Sequence, residues 1–111
     1  MDFIDYQIKA NKTAVYPNQH SMAGLMYCSL GLAGEAGELC NKIKKIYRDY
    51  NCIIPDEAFN DLEKEIGDCL WYLAQLCSEL SLSLNHAASS NIQKLLSRKE
   101  RNTLHGSGDN R

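Results

Sequence analysis

Two long segments of helical period, each carrying a pair of carboxylates three residues apart, constrain this chain more than any other feature. From Met22 to Tyr50, Leu25, Leu32, Ala36, Leu39, Ile43, Ile46 and Tyr50 recur at spacings of three, four or seven, which is one face of an α-helix. From Pro55 onward, Phe59, Leu62, Ile66, Cys69, Leu70, Leu73, Leu76, Cys77 and Leu80 form a second stripe, opened by the acidic first turn Asp56-Glu57. The first segment holds Glu35-x-x-Glu38 and the second holds Glu65-x-x-Asp68. A spacing of three places each pair on one face of its helix. A turn near Asn51 to Pro55 folds the helices antiparallel, so that the four carboxylates can converge.

Two shorter helices complete the pattern. Residues from about 2 to 14 form the first, which Tyr16-Pro17-Asn18 ends, and Ser21 caps the helix that follows. Ser83 caps a last helix running to about Arg98, with Leu84, Ala87, Ala88, Ile92, Leu95 and Leu96 on its apolar side. No segment alternates long enough for a strand and no repeat is visible. The expectation is an all-α, four-helix-bundle-like fold with antiparallel long helices, a single domain over 1–111, and a flexible Gly/Ser tail over 102–111. At 111 residues the core is small, which favours an oligomer, a bundle completed within one chain or shared by two.

Charge and cysteines narrow the partners and the compartment. A formal charge of −2 gives no reason to expect a nucleic-acid polymer or an anionic membrane as partner. No stretch approaches the roughly 18 apolar residues that a membrane span needs, and Met1-Asp2-Phe3-Ile4-Asp5 is no export leader. Five cysteines, odd in number and without a Cys-x-x-Cys, read as reduced thiols, so the expected location is cytoplasmic.

The carboxylates ask for a cation. On a helical wheel Glu35 falls inside the apolar sector near Leu39 and Ile46, and Glu65 borders the stripe of the next helix with Asp61, Asp68 and Tyr72 beside it. A carboxylate so placed is protonated, paired with a side chain such as Lys42, or bound to metal. With no histidine at ligand spacing, the donors are all oxygen, which suits Mg²⁺, with Mn²⁺ as a substitute, rather than zinc or a di-iron centre. Gly31, Gly34, Gly37 and Gly67 each cost a helix up to about 1 kcal/mol, and the first three leave a bare strip beside the acids for a close helix neighbour or a ligand phosphate. Trp71 points away from the main stripe of its helix, toward a second subunit or a nucleobase.

The runs Gly31-Leu32-Ala33-Gly34-Glu35-Ala36-Gly37-Glu38-Leu39, Lys42-Ile43-Lys44-Lys45 and Glu63-Lys64-Glu65-Ile66-Gly67-Asp68-Cys69-Leu70-Trp71-Tyr72-Leu73 resemble the MazG-like nucleotide pyrophosphohydrolases of the all-α NTP pyrophosphatase superfamily. Asn91-Ile92-Gln93-Lys94-Leu95, Arg98 and Gly106-Ser107-Gly108-Asp109-Asn110-Arg111 extend the resemblance to about residues 25–111. It implies hydrolysis of a (deoxy)nucleoside triphosphate to the monophosphate and pyrophosphate with Mg²⁺, by a homodimer or dimer of dimers engaged in nucleotide-pool housecleaning. Carried over by position, Glu35, Glu38, Glu65 and Asp68 are the metal ligands, and Glu38, which lies further from the apolar sector than Glu35, is chosen before it as the catalytic base. Lys42, Lys45, Lys94 and Arg98 are the candidate phosphate-binding cations, with Tyr72, Asn91 and Arg111 as further substrate contacts. Phosphoribosyl-ATP is an alternative substrate that the motif admits. A non-catalytic nucleotide-sensing or helical interaction module is the alternative from another class.

Overall fold

A computed structural model describes residues 1–111 as four α-helices without a strand. Helix α1 spans Phe3–Asn11, α2 Met22–Asp49, α3 Asp56–Glu79 and α4 Leu84–Glu100. Each start has a local cause. The side chains of Asp2, Ser21 and Ser83 accept from the amides of Asp5, Gly24 and His86, and extended Pro55 precedes the acidic first turn of α3. α1 stops short of the expected residue 14. Its last amides fold into the turns Lys12 N to Lys9 O and Thr13 N to Ala10 O before Pro17.

Helices α2 and α3 form an antiparallel hairpin whose register can be read from pairs along it. Gly24 meets Glu79, Gly31 meets Tyr72 and Lys42 meets Glu65. Asn51 and Cys52, both in the left-handed region with φ of 50° and 64°, reverse the chain between them. The face that α3 turns to α2 therefore carries Glu65, Tyr72 and Glu79, and Gln75 of the same helix is fully buried. A Cβ on Gly31 would lie 2.1 Å from the Tyr72 ring, and one on Gly24 would lie 2.6 Å from the Asn18 carbonyl oxygen. These two glycines let the helices approach; Gly34, Gly37 and Gly67 have open space beside them.

This arrangement corrects the expectation of a buried apolar stripe on α3. Phe59, Ile66, Leu73 and Leu80, seven residues apart, remain 41–56% exposed. Only Ala74 among the apolar residues of α3 is buried, and on α2 the stripe contributes only Ile46, joined by Cys28. The Cα radius of gyration, 17.0 Å, exceeds the ~13 Å of a compact chain of this length. One copy leaves its apolar seam uncovered.

The main core lies where α1, α3 and α4 meet. Ala10, Ala74 and Leu84 are packed there by Tyr6, Leu70, Trp71 and Cys77. Trp71 is spent inside the chain: its Nε1 donates to Thr13 Oγ1 at 2.7 Å, and its ring stands edge-on to Tyr16 and Tyr72. Segment 12–21 is fastened by Glu79, which accepts from the Tyr16 hydroxyl and the His20 amide. The tail after α4 has a defined path. Arg98 donates to the Asp109 carbonyl, Arg101 to that of Arg111, and the Arg111 guanidinium to Thr103, Leu104 and Gly108 carbonyls. No helix is long and apolar enough to cross a membrane.

Substitution by alanine should separate the two kinds of glycine in α2. Gly31→Ala drives a methyl into the Tyr72 ring and should lose about 1–3 kcal/mol. Gly34→Ala fills open space and should gain up to about 1 kcal/mol through helix propensity. Urea unfolding of both variants at one protein concentration checks the opposite signs.

Candidate functional site

Midway along the hairpin the two acidic segments face each other. Glu35 and Glu38 from α2 and Glu65 from α3 can each offer an oxygen so that all three lie within 4.8 Å of one another. Glu65 is only 7% exposed, Glu35 half-buried and Glu38 exposed, so the cluster grades from the helix interface to solvent. Asp68 is exposed and stands outside this trio. Its charge nevertheless acts on Glu35 and on Tyr6 of α1, which puts it at the margin of the site.

Three converging carboxylates repel, and the molecule shows the strain in two ways. Burial, then the charges of Asp68, Glu38 and Glu65 together with a hydrogen bond to Glu65, push the Glu35 carboxyl above its ordinary range. Lys42 Nζ lies 2.5 Å from Glu65 Oε1, and this hydrogen bond raises the lysine in turn. Lys42 thus stands as a cation on a carboxylate that water barely reaches. The donor set is oxygen from carboxylates only, from both helices and open on one side, which fits a hard divalent cation better than a soft one. Cys69, half-buried beside these acids, is raised by burial first and by Glu35, Asp68 and Glu65 after it, so its thiol is a poor nucleophile and ligand.

On the α2 side a polar cleft of about 450 Å³ runs from the acids toward the turn, lined by Gly34, Gly37, Glu38, Asn41, Lys42 and Lys45. Positions 38, 41, 42 and 45 share one helix face by their spacing of three and four. Asn41, unremarked from sequence, could have been found by that spacing alone. At the inner end, Tyr72 is packed into Gly31; burial, then Tyr27, then the Glu35 charge raise its hydroxyl. It joins an aromatic group in which Tyr16 stacks on Tyr27 with centroids 5.0 Å apart and Trp71 stands edge-on.

The structure brings Glu35, Glu38, Glu65, Lys42, Lys45 and Tyr72 into one neighbourhood. It does not bring Asn91, Lys94, Arg98 or Arg111 there within one chain. All four lie on α4 or the tail after it, and α4 packs on α1 and α3 without touching α2.

Comparison with known proteins agrees with this geometry. The profile of the MazG nucleotide pyrophosphohydrolase domain matches residues 27–103, a span holding all four acids and the helices that carry them. The chain is similar to the "Gene 37 protein" of Mycobacterium phage L5, 49% identical over 109 residues, which covers 96% of each chain. No solved structure matches it significantly.

The metal-free protein should carry the signature of Glu35. Folding raises its pKa above the ordinary 4.5, so the folded chain holds this proton more tightly than the unfolded chain. The resulting penalty is absent below the unfolded value and grows as pH rises through the folded one. Glu35→Gln in chelator should therefore raise Tm clearly at about pH 8 and little at about pH 4, as thermal scans at the two pH values would show.

Proposed function

The chain belongs to the MazG nucleotide pyrophosphohydrolase domain family, and from that premise we propose that it hydrolyses a (deoxy)nucleoside triphosphate between the α and β phosphates. The products are the nucleoside monophosphate and pyrophosphate, and the role is nucleotide-pool housecleaning. One observation carries the reading: three carboxylates from two helices converge at the head of a cleft that also presents two lysines. A triphosphate brings about four negative charges, and acids can face it only with cations between. Mg²⁺, or Mn²⁺ in its place, when bound by Glu35, Glu38, Glu65 and marginal Asp68, would supply charge neutralisation at the phosphates and a lowered pKa for the attacking water.

The chain's own residues divide the remaining work. Glu38, the exposed member of the trio, accepts the proton of the water that attacks the α phosphorus, while half-buried Glu35 serves as a ligand beside it. Lys42 and Lys45 take phosphate oxygens along the cleft, and Lys42 in turning to them leaves Glu65 free to ligate. Gly34 and Gly37 keep the cleft wall bare, and Tyr72 borders the acids from within. Water adds to the α phosphorus as the bridging oxygen departs with the pyrophosphate. The five free cysteines suit a reducing compartment, the cytoplasm in this reading.

The assembly is a homodimer or dimer of dimers. Its support is the exposed line Phe59, Ile66, Leu73 and Leu80, whose seven-residue spacing is that of a seam between helices.

Two outcomes are expected. With Mg²⁺ the wild type should yield monophosphate and pyrophosphate on anion exchange, and Glu38→Gln and Glu65→Gln should each lower kcat/KM by about 10²–10⁴-fold; diphosphate and phosphate as products would refute the assigned bond. Leu73→Glu should shift sedimentation from the oligomer to the monomer, and an unchanged coefficient would remove the seam from the interface.

A further inference from the structure

The acid cleft offers a nucleobase no apolar wall. Its lining of Gly34, Gly37, Glu38, Asn41, Lys42 and Lys45 includes no apolar side chain, whereas a base is held by apolar or aromatic side chains on its faces and by a few polar groups at its edge. The aromatic group around Tyr72 is closed on itself, with Tyr16 stacked on Tyr27 and Trp71 edge-on to Tyr16 and Tyr72. A second cavity has the complementary character. Where α1, α3 and α4 meet, Met1, Asp2, Phe3, Tyr6, Leu70 and Asn85 line about 340 Å³, within the roughly 300–1,000 Å³ of small-molecule sites.

The walls of this cavity are held in place. Tyr6 and Leu70 pack on Ala10, Ala74 and Leu84. Gln7 clasps α1 to the start of α4: it donates to Ser78 Oγ and to the Leu82 carbonyl and accepts from the Leu84 amide. Because Tyr6 adjoins Gln7 and Asn85 adjoins Leu84 in the chain, the clasp fixes both wall residues. Their polar atoms are nonetheless free. Tyr6 and Asn85 are half-buried, yet neither the Tyr6 hydroxyl nor the Asn85 carboxamide makes a hydrogen bond within the chain, although such groups ordinarily find partners. Asp2 caps α1 with Oδ1, which accepts from the Asp5 amide at 2.8 Å, and Oδ2 is left for another donor. Asp68 connects the cavity to the acids, since its charge acts on Tyr6 on one side and on Glu35 on the other.

We propose that this cavity is the nucleobase subsite: Phe3, Tyr6 and Leu70 hold the faces of the base, and Asn85 with the free oxygen of Asp2 reads its edge. A carboxylate only accepts, so Asp2 favours a base with an exocyclic amine. Cytosine, adenine and guanine carry one, whereas uracil and thymine present carbonyl oxygens, which the carboxylate repels. The Asn85 carboxamide, donor and acceptor at once, takes the neighbouring ring nitrogen or carbonyl. The inference rests on the triphosphate reading and adds the class of base.

Two variants test it. Asp2→Asn keeps the helix cap, since Asn caps as well as Asp, but replaces the pure acceptor by an amide. Phe3→Ala removes a ring that is 40% exposed and lies outside the buried core. With Mg²⁺, wild-type kcat/KM for the best of dCTP, dATP and dGTP should exceed that for dUTP and dTTP by about tenfold or more. Asp2→Asn should narrow this ratio to within about threefold, through KM, and Phe3→Ala should raise KM for every base by about tenfold. Binding of the α,β-methylene analogues of the same five nucleotides should follow the same order. An active wild type without the preference, or variants that keep the wild-type KM values and ratio, would overturn the inference and leave the hydrolase reading intact. Selective analogue binding, lost in Asp2→Asn, by a wild type that turns over none of the five would overturn the hydrolase reading and retain the subsite. A wild type that neither binds nor turns over would overturn both.

Discussion

Repulsion among carboxylates placed between two packed helices governs the rest of this structure. Glu65 is held in the α2–α3 interface with Lys42 on it, Glu35 is forced toward its protonated form, and Glu38 opens to solvent. Packed helices ordinarily gain from apolar contact, at about 25 cal/mol per Å² removed from water. Here the contact line also carries Glu65, Tyr72 and Glu79. That arrangement stores unfavourable charge which the proposed divalent cation would relieve, so the same feature that weakens the empty fold would favour binding of the ion.

The consequences extend outward from the contact line. Because α3 turns Glu65, Tyr72 and Glu79 to α2, its heptad of apolar residues is turned away, and a single copy buries only ten of its 111 residues below the level of a core. The uncovered seam and the extended shape are two results of one choice of face. In the proposed oligomer a second copy would cover the apolar line.

The helices themselves were legible in sequence because their signals are local. Ser21 and Ser83 cap as expected, Pro55 with Asp56 and Glu57 opens α3, and the spacing of three within each acidic pair placed Glu35, Glu38 and Glu65 on facing surfaces. The face of α3 that meets α2 was not legible. It depends on Gly24 and Gly31 lying opposite Glu79 and Tyr72, a match between distant segments that periodicity within either segment does not encode. Trp71 illustrates the same limit, since its partner Thr13 lies in a connecting segment 58 residues away. The position of α4 follows from the Gln7 clasp, again a long-range pairing, and so Lys94 and Arg98 could be named from sequence without any indication that they stand apart from the acids of their own chain.

The central claim is that the carboxylates of the hairpin are a cation site, and crystals grown with Mn²⁺ test it most directly. An anomalous difference map should place the ion among the oxygens of Glu35, Glu38 and Glu65, with Lys42 moved off Glu65. A map without a peak there, with Lys42 still paired to Glu65 at saturating Mn²⁺, would contradict the account.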